Sequence, residues 1–305
     1  MIRTGVACLG EVMVEVALGR TLPGPGQIGF AGDTYNTAVY LKRMAPELRV
    51  AFGTRLGQDP LSDAVLAQME REEIDPELVA RDAGTLPGLY AVRTDTRGER
   101  SFMYWRRNSP ARGIFQNAEA LFHKLAPFAM VYFSAITLAI VPAAHRTAFF
   151  DAAARYRDAG GQIAFDSNYR PALWDDVETA RDAVSRAWAL ADVALPSLDD
   201  EMALFGDADA AAVLHRIGAG RPASGALKRG AEGPLDLTGK ICSDAPPATR
   251  VVDTTAAGDS FNAGFIAAYM RGETTDLCMQ SGHRLAAEVI AHPGAIMPMK
   301  GTPQT

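Results

Sequence analysis

Residues 251–272 read VVDTTAAGDSFNAGFIAAYMRG, a loop with few glycines that continues into an apolar helix. From Ala257 onward the apolar residues recur at helical spacing, and Gly272 lies where the helix is expected to stop. A helix start has free N–H groups and a positive dipole end, so this loop favours an anion such as phosphate. Alanine can offer its N–H as glycine does at negative φ. Gly258 is therefore expected to take any unusual φ.

Asp259 follows this loop and has two interpretations. It can be an acidic cap that stabilises the helix start by about 0.3–1 kcal/mol, and from this stretch alone the cap is favoured because acidic caps are common. It can instead be a general base that takes a proton from a hydroxyl attacking the bound phosphate. A carboxylate beside a phosphate does not help binding, because like charges repel.

The rest of the chain alternates short apolar strands with helical segments. Runs such as VAFGTRLG, QIAFDSN and SGALKRG are separated by segments such as TYNTAVYLKRMA and PAAHRTAFFDAAARYRDAG. Asp59 is expected near the start of one helix, and residues 130–133 are expected to form a buried strand with a loop after it. This alternation predicts an α/β fold with a central, mostly parallel sheet and helices on both faces.

Residues 88–107 depart from this alternation and predict two strands joined by the turn TDTRGER. The N-terminal run GEVMVEVA is a candidate partner strand. A small β layer inserted in an α/β domain predicts a lid. Strand alternation puts Phe102, Tyr104 and Arg106 on one face, with Tyr90 on the partner strand and Arg107 pointing the other way.

The composition is that of an ordinary globular protein of 305 residues with 48% hydrophobic residues. A net charge of −6, with no basic stripe among aromatics, argues against nucleic-acid binding. The three cysteines are far apart, which argues against a zinc site or disulfides and favours reduced thiols in the cytoplasm. Glu11 and Glu15 interrupt the apolar N-terminus, so no signal peptide is predicted. Residues 128–144 are shorter than the roughly 20 residues that cross a bilayer.

Several motifs together resemble the ribokinase-like, or PfkB-type, carbohydrate kinases. VVDTTAAGDSFNAGF is similar to the C-terminal signature of that family, usually D-T-x-G-A-G-D, with Ala256 at the first glycine. GFAGDTYNTAVYLKRM resembles the N-terminal signature at the sugar site. Within the family, LYAVRTDTRGERSFMYWRRNSPAR, FDSNYRPALW, LPSLDDEMALFG, LKRGAEG and HPGAIMP resemble 2-keto-3-deoxygluconate kinases. The likeness extends from about Leu9 to Pro298, and the order of the motifs favours the catalytic interpretation of Asp259.

The resemblance implies a single ribokinase-like domain over residues 1–305, with a lid formed by about residues 10–34 and 86–110. It implies ATP with Mg²⁺ as the phosphoryl donor and a six-carbon keto-deoxy acid as the acceptor. Asp259 matches the base that deprotonates the terminal (C6) hydroxyl. The amides of Ala256, Ala257 and Gly258 match the anion hole for the transferring phosphoryl group.

The resemblance also implies residues that contact the two substrates. The residues expected to contact the sugar hydroxyls are Gly32, Asp33, Thr34 and Asn36. The aromatic residues Tyr90 and Tyr104 are also expected to contact the sugar. Asp33 is also a candidate helix cap. The nucleotide-side set is Asn168, Tyr169, Arg170, Lys228, Gly230, Gly233, Ala257 and Gly258. The alternative for LKRGAEG is a plain strand-to-turn connection. His283 lies near the adenine position of the family, but a satisfied helix histidine is the favoured interpretation.

The residue chemistry supports an acidic acceptor independently of the resemblance. Tyr104 and Arg106 can meet one ligand under the lid, and Arg170 follows a core strand at its carboxyl end, where parallel sheets bind ligands. Arginine matches a carboxylate with two parallel hydrogen bonds. Arg106 and Arg170 are therefore predicted to bind the acid group, and the alternative for each is a surface or salt-bridge role.

The sequence does not decide which residues bind the metal ions. Many members of the family carry N-x-x-E near the metal, whereas this chain has Ser197 and Asp200 in SLDD. Asp200 is expected to hold Mg²⁺ through water. A monovalent cation is a further candidate, at Asp253 and Thr255.

These features predict ATP-dependent phosphorylation of 2-keto-3-deoxygluconate in the cytoplasm, without a nucleic-acid or membrane partner. Two alternatives stay open: a kinase for another sugar, such as fructose, ribose or keto-deoxygalactonate, and a non-catalytic sugar-acid sensor. The exposed edge strands of the lid predict a homo-oligomer that buries them.

Overall fold

The computed structural model describes residues 3–19, 24–94, 100–218, 220 and 222–299. The predicted α/β fold is confirmed, because strands and helices alternate and build a large, mostly parallel sheet. The strands are β1 (Val6–Leu9), β2 (Met13–Leu18), β3 (Gly26–Ala31), β4 (Val50–Gly57), β5 (Val79–Asp82), β6 (Leu89–Thr94), β7 (Arg100–Trp105), β8 (Met130–Ser134), β9 (Gln162–Asp166), β10 (Val193–Leu195), β11 (Ser224–Leu227) and β12 (Leu235–Asp236). The helices are α1 (Asp33–Met44), α2 (Pro60–Arg71), α3 (Ala118–Leu125), α4 (Ala135–Ile140), α5 (Ala143–Asp158), α6 (Val177–Leu190), α7 (Leu198–Phe205), α8 (Ala210–Gly218), α9 (Ala257–Met270) and α10 (Thr275–Val289).

The large sheet has eight strands in the order β12-β11-β10-β9-β8-β1-β4-β5. Neighbouring strands run parallel except β11 and β12, which are antiparallel. The chain adds β4 on one side of β1 and β8 on the other, so the strand order reverses beside β1. Open parallel sheets bind ligands at their carboxyl edge near such a reversal.

Side chains of the central strand β1 alternate between two hydrophobic cores. Val6 and Cys8 pack with α1, α2, α9 and α10 on one face of the sheet. Ala7 and Leu9 pack with α3 to α8 on the other face. Both faces of the sheet are therefore covered, which explains why its strands are continuous apolar runs.

The segment after β8 differs from the sequence expectation. Residues 135–140 form helix α4 rather than a loop, and the helix begins with a reciprocal cap. Ser134 Oγ accepts from the Thr137 N–H at 3.3 Å, and Thr137 Oγ1 accepts from the Ser134 N–H at 3.5 Å. A short apolar run does not by itself distinguish a helix from other buried backbone. Among the helices that the structure describes, none is both long and apolar enough to cross a lipid bilayer.

A second sheet of four strands has the order β3-β2-β6-β7. The predicted pairing of GEVMVEVA with the 88–107 hairpin is confirmed, since β2 runs parallel to β6 and β6 runs antiparallel to β7. Strand β3 pairs antiparallel with β2 on its other side. These strands lie within residues 10–34 and 86–110. Residues 95–99 of the TDTRGER turn lie outside the described residues.

Candidate active site

The carboxyl edge of the large sheet and the second sheet enclose a cavity of about 920 Å³, here called the acceptor cavity. Asp166 ends β9, Ser197 follows β10, and Lys228 follows β11, so three strand ends reach it. Most predicted site residues come together here: Gly32, Asp33, Asn36, Tyr90, Tyr104, Arg106, Asn168, Arg170, Asp200, Lys228, Ala256, Ala257, Gly258 and Asp259.

A second cavity of about 460 Å³, here called the donor cavity, adjoins the first. Gly230, Phe261 and His283 are among its lining residues. Six residues line both cavities: Ser197, Asp199, Lys228, Thr254, Ala257 and Gly258. The start of α9, at Ala257 and Gly258, therefore lies where the two cavities meet.

Three predicted contact residues lie away from the walls described for the two cavities. Thr34 is fully buried, and the side chain of Tyr169 belongs to the hydrophobic core. Gly233 follows the short 3₁₀ turn Gly230–Glu232 with a φ of 76°. The motifs that carry these residues do reach the site, but through their neighbours Asp33, Asn168 and Gly230.

Helix α9 begins at Ala257, and Ala256 is its N-cap. Ala256 has a φ of 62°, in the left-handed region that favours glycine, whereas Gly258 lies within the helix. The expectation that Gly258 takes the unusual φ is wrong, because the chain turns into the helix two residues earlier. Gly258 instead supplies open space: a Cβ there would approach Lys228 Nζ at 3.7 Å.

Replacing Ala256 with glycine is expected to keep activity and to raise the free energy of unfolding by less than about 1 kcal/mol. Left-handed backbone costs an L-residue about 1–2 kcal/mol, and the gain is offset because glycine has about 0.5–1 kcal/mol more chain entropy to lose on folding. Chemical unfolding measures the difference. Ala256→Val is the control, and it should be less stable than both; equal stability of the three proteins would contradict the strained φ.

Asp259 is buried in the first turn of α9, and its carboxylate is held by another helix. Its Oδ2 accepts a hydrogen bond of 2.8 Å from Asn36 Nδ2. The Asn36 side chain is itself fixed, because its Oδ1 accepts from the Gly32 N–H at 3.3 Å. Helix α1 thus holds the carboxylate at the wall of the acceptor cavity, beside the junction with the donor cavity.

The surroundings of Asp259 make it a stronger base than an exposed aspartate. Burial raises its pKa well above the usual range, and the Asp33 carboxylate raises the pKa further. The hydrogen bond from Asn36 acts in the opposite direction. Burial also raises the pKa of Asp33. A raised pKa brings a carboxyl group closer to the range in which it can take a proton from a hydroxyl near neutral pH.

The kcat/KM for the acceptor is expected to fall with decreasing pH through a pKa above the value of about 3.9 of a free aspartate. The reason is that the base must be deprotonated to act, and its pKa is raised. A pH profile of kcat/KM at saturating MgATP measures this limb. In Asn36→Ala the limb should move to higher pH, because the hydrogen bond that lowers the pKa is lost. An acid limb near pH 4 in the wild-type enzyme would contradict the expectation.

The first turn of α1 carries Asp33 into the same cavity. The Asp33 carboxylate accepts hydrogen bonds from Ser134 Oγ and from Asn168 Nδ2, the latter at 3.1 Å. Gly32 precedes it, and a Cβ on Gly32 would lie well inside contact distance of the Glu11 carbonyl oxygen. Glycine is required there because the loop between β1 and β2 passes so close to the start of α1.

The second sheet contributes aromatic rings to the opposite wall. The ring of Tyr90 lies 5.8 Å from that of Tyr104 and 6.2 Å from that of Phe102, as strand alternation predicts. Arg106 pairs with the buried carboxylate of Glu11. Arg107 also lines the cavity, contrary to the expectation that it points away. Strand β7 ends before Arg106, so the alternation does not extend to Arg107.

A buried polar network lies behind the junction of the two cavities. Lys228 Nζ donates to Asp166 Oδ1 at 2.8 Å and to Asn262 Oδ1 at 3.0 Å. Asn262 Nδ2 donates in turn to Asp166 Oδ2 at 2.8 Å and to the Tyr132 hydroxyl at 3.0 Å. Sequence reasoning missed Asp166 and Asn262. The available signal was an acidic residue at the carboxyl end of a buried strand.

The candidate adenine contact His283 and the candidate magnesium ligand Asp200 line different cavities. His283 lines the donor cavity, and its Nε2 lies 2.7 Å from the Pro246 carbonyl oxygen, so the histidine has a partner. Arg170 donates to Asp200 Oδ1 at 3.3 Å. Burial raises the pKa of Asp200. Asp200 lines the acceptor cavity, whereas its neighbour Asp199, which sequence reasoning missed, lines both cavities.

Asp253, a candidate ligand for a monovalent cation, accepts two backbone hydrogen bonds. Asp253 Oδ1 accepts from the Thr255 N–H at 3.0 Å, and Oδ2 accepts from the Gly294 N–H at 2.6 Å. Across the described ranges, no group of three or more metal-ligating side chains is gathered at one point.

Comparison with known proteins gives consistent results. Residues 3–301 match the model of the pfkB family carbohydrate kinases. The 2-dehydro-3-deoxygluconokinase of Dickeya dadantii is 38% identical over 99% of this chain and 100% of its own, and that of Haemophilus influenzae is 37% identical over 96% and 95%. A putative ribokinase II of Escherichia coli, solved with ATP and Mg²⁺, superposes with a TM-score of 0.80 at 20% identity, over 96% of this chain and 94% of its own.

Proposed function

Because the chain belongs to the PfkB family of carbohydrate kinases, we propose that it phosphorylates 2-keto-3-deoxygluconate at the C6 hydroxyl, with ATP as donor. The observation that carries the proposal is the position of Asp259. Its carboxylate lines the acceptor cavity from the first turn of α9, and the first two residues of this helix, Ala257 and Gly258, line both cavities. The sugar comes from the relatives, which are named 2-dehydro-3-deoxygluconokinases; 2-dehydro-3-deoxygluconate is another name for 2-keto-3-deoxygluconate.

The donor cavity is suited to ATP. Its wall is largely apolar around Phe261 and Ile290, which fits a flat base, and Gly230 allows close approach of the ligand. The triphosphate would then extend towards Lys228 and the start of α9, where the Ala257 amide donates to the Thr254 carbonyl oxygen at 3.2 Å and the Gly258 amide would face the phosphates. Mg²⁺, which PfkB kinases use, would sit near Asp199 and Asp200 and neutralise charge on the phosphoryl oxygens.

The residues of this chain then perform a single displacement. Asp259 accepts the proton of the C6 hydroxyl while that oxygen attacks the γ-phosphorus, and the bond to the β–γ bridging oxygen breaks so that ADP leaves. The amides at the start of α9 and the ammonium of Lys228 stabilise the negative charge on the transferring group. The second sheet would close over the acceptor and exclude water, so that phosphate goes to the sugar rather than to solvent.

A coupled assay of ADP formation over a panel of acceptors tests this proposal. We expect 2-keto-3-deoxygluconate to have the highest kcat/KM, above keto-deoxygalactonate, fructose and ribose. ³¹P NMR of the product checks transfer to C6. A higher kcat/KM for a neutral sugar would show that the proposed acceptor is wrong, whereas the assignment as a sugar kinase would stand. Binding of the acid sugar without ADP formation would instead indicate a sensor.

We also infer that two copies associate through the outer face of the second sheet. The register of the strands puts Val14, Val16, Ile28, Phe30, Leu89, Ala91, Met103 and Trp105 on the face away from the cavity. Ile28 is 65% and Trp105 61% exposed, and β3 and β7 are the edge strands of this sheet among the described residues. Apolar faces and open edges of this kind are commonly covered by a partner. Light scattering should give a dimer or larger at micromolar concentration and a smaller particle for Trp105→Glu, whereas a wild-type monomer would refute the inference.

The cysteines indicate where in the cell the enzyme acts. The three buried free thiols fit a reducing compartment, so we propose the cytoplasm.

We also propose that a monovalent cation binds at Asp253 and Thr255 and activates the enzyme. It is tested by comparing kcat in potassium and in tetramethylammonium salts at equal ionic strength, where equal rates would exclude it.

A further inference from the structure

A buried tyrosine beneath the site, Tyr132, has no part in the proposed displacement. It lies in the middle of β8, on the face of the large sheet that α1 and α9 cover. Its side chain is fully buried, so it does not reach a substrate itself. Its hydroxyl nevertheless contacts both helices: Asn262 Nδ2 on α9 donates to it at 3.0 Å, and Thr37 Oγ1 on α1 lies 3.3 Å from it. The hydroxyl therefore joins the helix of the proposed base to the helix that holds the base in place.

On the α9 side, the Tyr132 hydroxyl helps to fix the orientation of the Asn262 amide. The amide nitrogen donates to this hydroxyl and to Asp166 Oδ2, so the amide oxygen is turned the other way. That oxygen accepts from Lys228 Nζ at 3.0 Å. Because Lys228 lines both cavities, the orientation of the amide bears on where the ammonium meets the transferring phosphoryl group.

On the α1 side, the Tyr132 hydroxyl supports a link between two helix starts. The Thr37 hydroxyl lies 3.1 Å from the carbonyl oxygens of Asp33 and Asp259, which belong to the first turns of α1 and α9. A carbonyl oxygen only accepts, so the threonine hydrogen is used there, and the Thr37 oxygen can accept from Tyr132. This link keeps Asn36, the neighbour of Thr37 on α1, opposite the carboxylate of Asp259.

The Tyr132 hydroxyl keeps its hydrogen near neutral pH. Burial raises its pKa well above the usual range, and the carboxylates of Asp166, Asp259 and Asp33 raise the pKa further. The hydrogen bond with Thr37 acts in the opposite direction. A tyrosine that stays neutral is a permanent donor and does not exchange protons in the reaction, so its contribution is to position other groups.

We infer that Tyr132 is a positioning residue for phosphoryl transfer, which sets the placement of the Lys228 ammonium relative to the Asp259 carboxylate. It acts on the ammonium through Asn262 and on the carboxylate through Thr37. The inference rests on the proposed function, because only a reaction that uses both groups is sensitive to their relative placement. Misplacement of reacting groups by about 1 Å can cost a reaction roughly 100-fold, so a hydrogen-bond chain between them affects the rate.

Steady-state kinetics of the full-length enzyme with 2-keto-3-deoxygluconate and MgATP, together with calorimetric binding of the acceptor, tests this inference. We expect Tyr132→Phe and Thr37→Val each to lower kcat about 10-fold, the effect of roughly one hydrogen bond, with little change in the dissociation constant. Thr37→Ser keeps the hydroxyl and should restore kcat. In the double variant Tyr132→Phe/Thr37→Val the two losses should not multiply in full, because both substitutions break the same chain.

Tyr156→Phe is the matched control, since it also removes a buried tyrosine hydroxyl. The Tyr156 hydroxyl donates to the Phe128 carbonyl oxygen at 2.8 Å, in the core on the other face of the sheet. This variant should lose stability and keep the kcat of wild type. With an active wild type, an unchanged kcat in Tyr132→Phe, or equal losses of kcat in Tyr132→Phe and Tyr156→Phe, would overturn this inference alone. Wild type that forms no ADP with any sugar of the panel would overturn the proposed function, and the inference with it.

Discussion

Asp259→Asn is expected to lower kcat about 10²- to 10⁴-fold while the dissociation constants of both substrates change little. General bases contribute rates of this order, and asparagine keeps the shape of the side chain and a partner for Asn36 while it loses the basic oxygen. The carboxylate lines the cavity and is held at 2.8 Å by Asn36 Nδ2, so the amide is expected to occupy the same place. Steady-state kinetics and calorimetric binding of the acceptor together separate kcat from affinity.

Asp63→Asn is the matched control for this substitution. Asp63 also lies in the first turn of a helix, α2, and its exposed carboxylate pairs with Arg81. If the acidic residue of a first turn served only the helix dipole, the two substitutions would have similarly small effects on stability and none on kcat. A kcat for Asp259→Asn within a few-fold of wild type would show that Asp259 only stabilises the start of the helix and is not the general base.

The same substitution is expected to raise the free energy of unfolding at neutral pH. Burial raises the pKa of Asp259, so the folded state favours the protonated form. Stability from this group is fully present below the unfolded pKa of about 3.9 and is lost as the pH rises through the higher folded pKa. Asparagine does not ionise, so the variant does not lose this stability as the pH rises. The stability difference between variant and wild type should therefore shrink as the pH is lowered, which denaturant unfolding at several pH values measures.

The second large effect is expected for Lys228→Met, which should lower kcat about 10²- to 10³-fold. The Lys228 ammonium faces both cavities, and the loss of one stabilising group near a transferring charge has an effect of this size. The variant should also lose about 3–5 kcal/mol of stability, because the Asp166 carboxylate is left buried without its partner. The side chains of Lys228 and Asp166 are only 9% and 3% exposed, so water screens this pair little.

The double variant Lys228→Met/Asp166→Asn separates the two consequences. It removes the unpaired charge and leaves an amide that Asn262 can still contact, so thermal stability should recover in large part. The kcat should stay low, because no ammonium faces the phosphoryl group. Recovery of kcat together with stability would mean that Lys228 acts only on the fold, and full activity in Lys228→Met would contradict its place at the junction.

Much of the fold could be predicted because its determinants are local in sequence. The continuous apolar run of β8, the helical spacing in α1 and α9, and Asp59 as the N-cap of α2 each follow from periodicity and capping. Helix α4 was missed because six mostly apolar residues do not identify one conformation. Its cap depends on the Ser134 and Thr137 hydroxyls, which also contact Asp33 and the Leu9 carbonyl oxygen.

The sequence by itself determined the helix start at Ala257 and the acidic residue behind it, because 3.6-residue spacing and stop signals are properties of a short stretch. It could not assign partners to charges. Glu11 and Arg106 are 95 residues apart, and Lys228 and Asp166 are 62 apart. Only the packing of the sheets shows that Arg106 faces Glu11 and that Arg170 faces Asp200. The left-handed φ of Ala256 is likewise a tertiary result, since the loop must reach α9 from Asp253, which the Gly294 amide holds across the molecule.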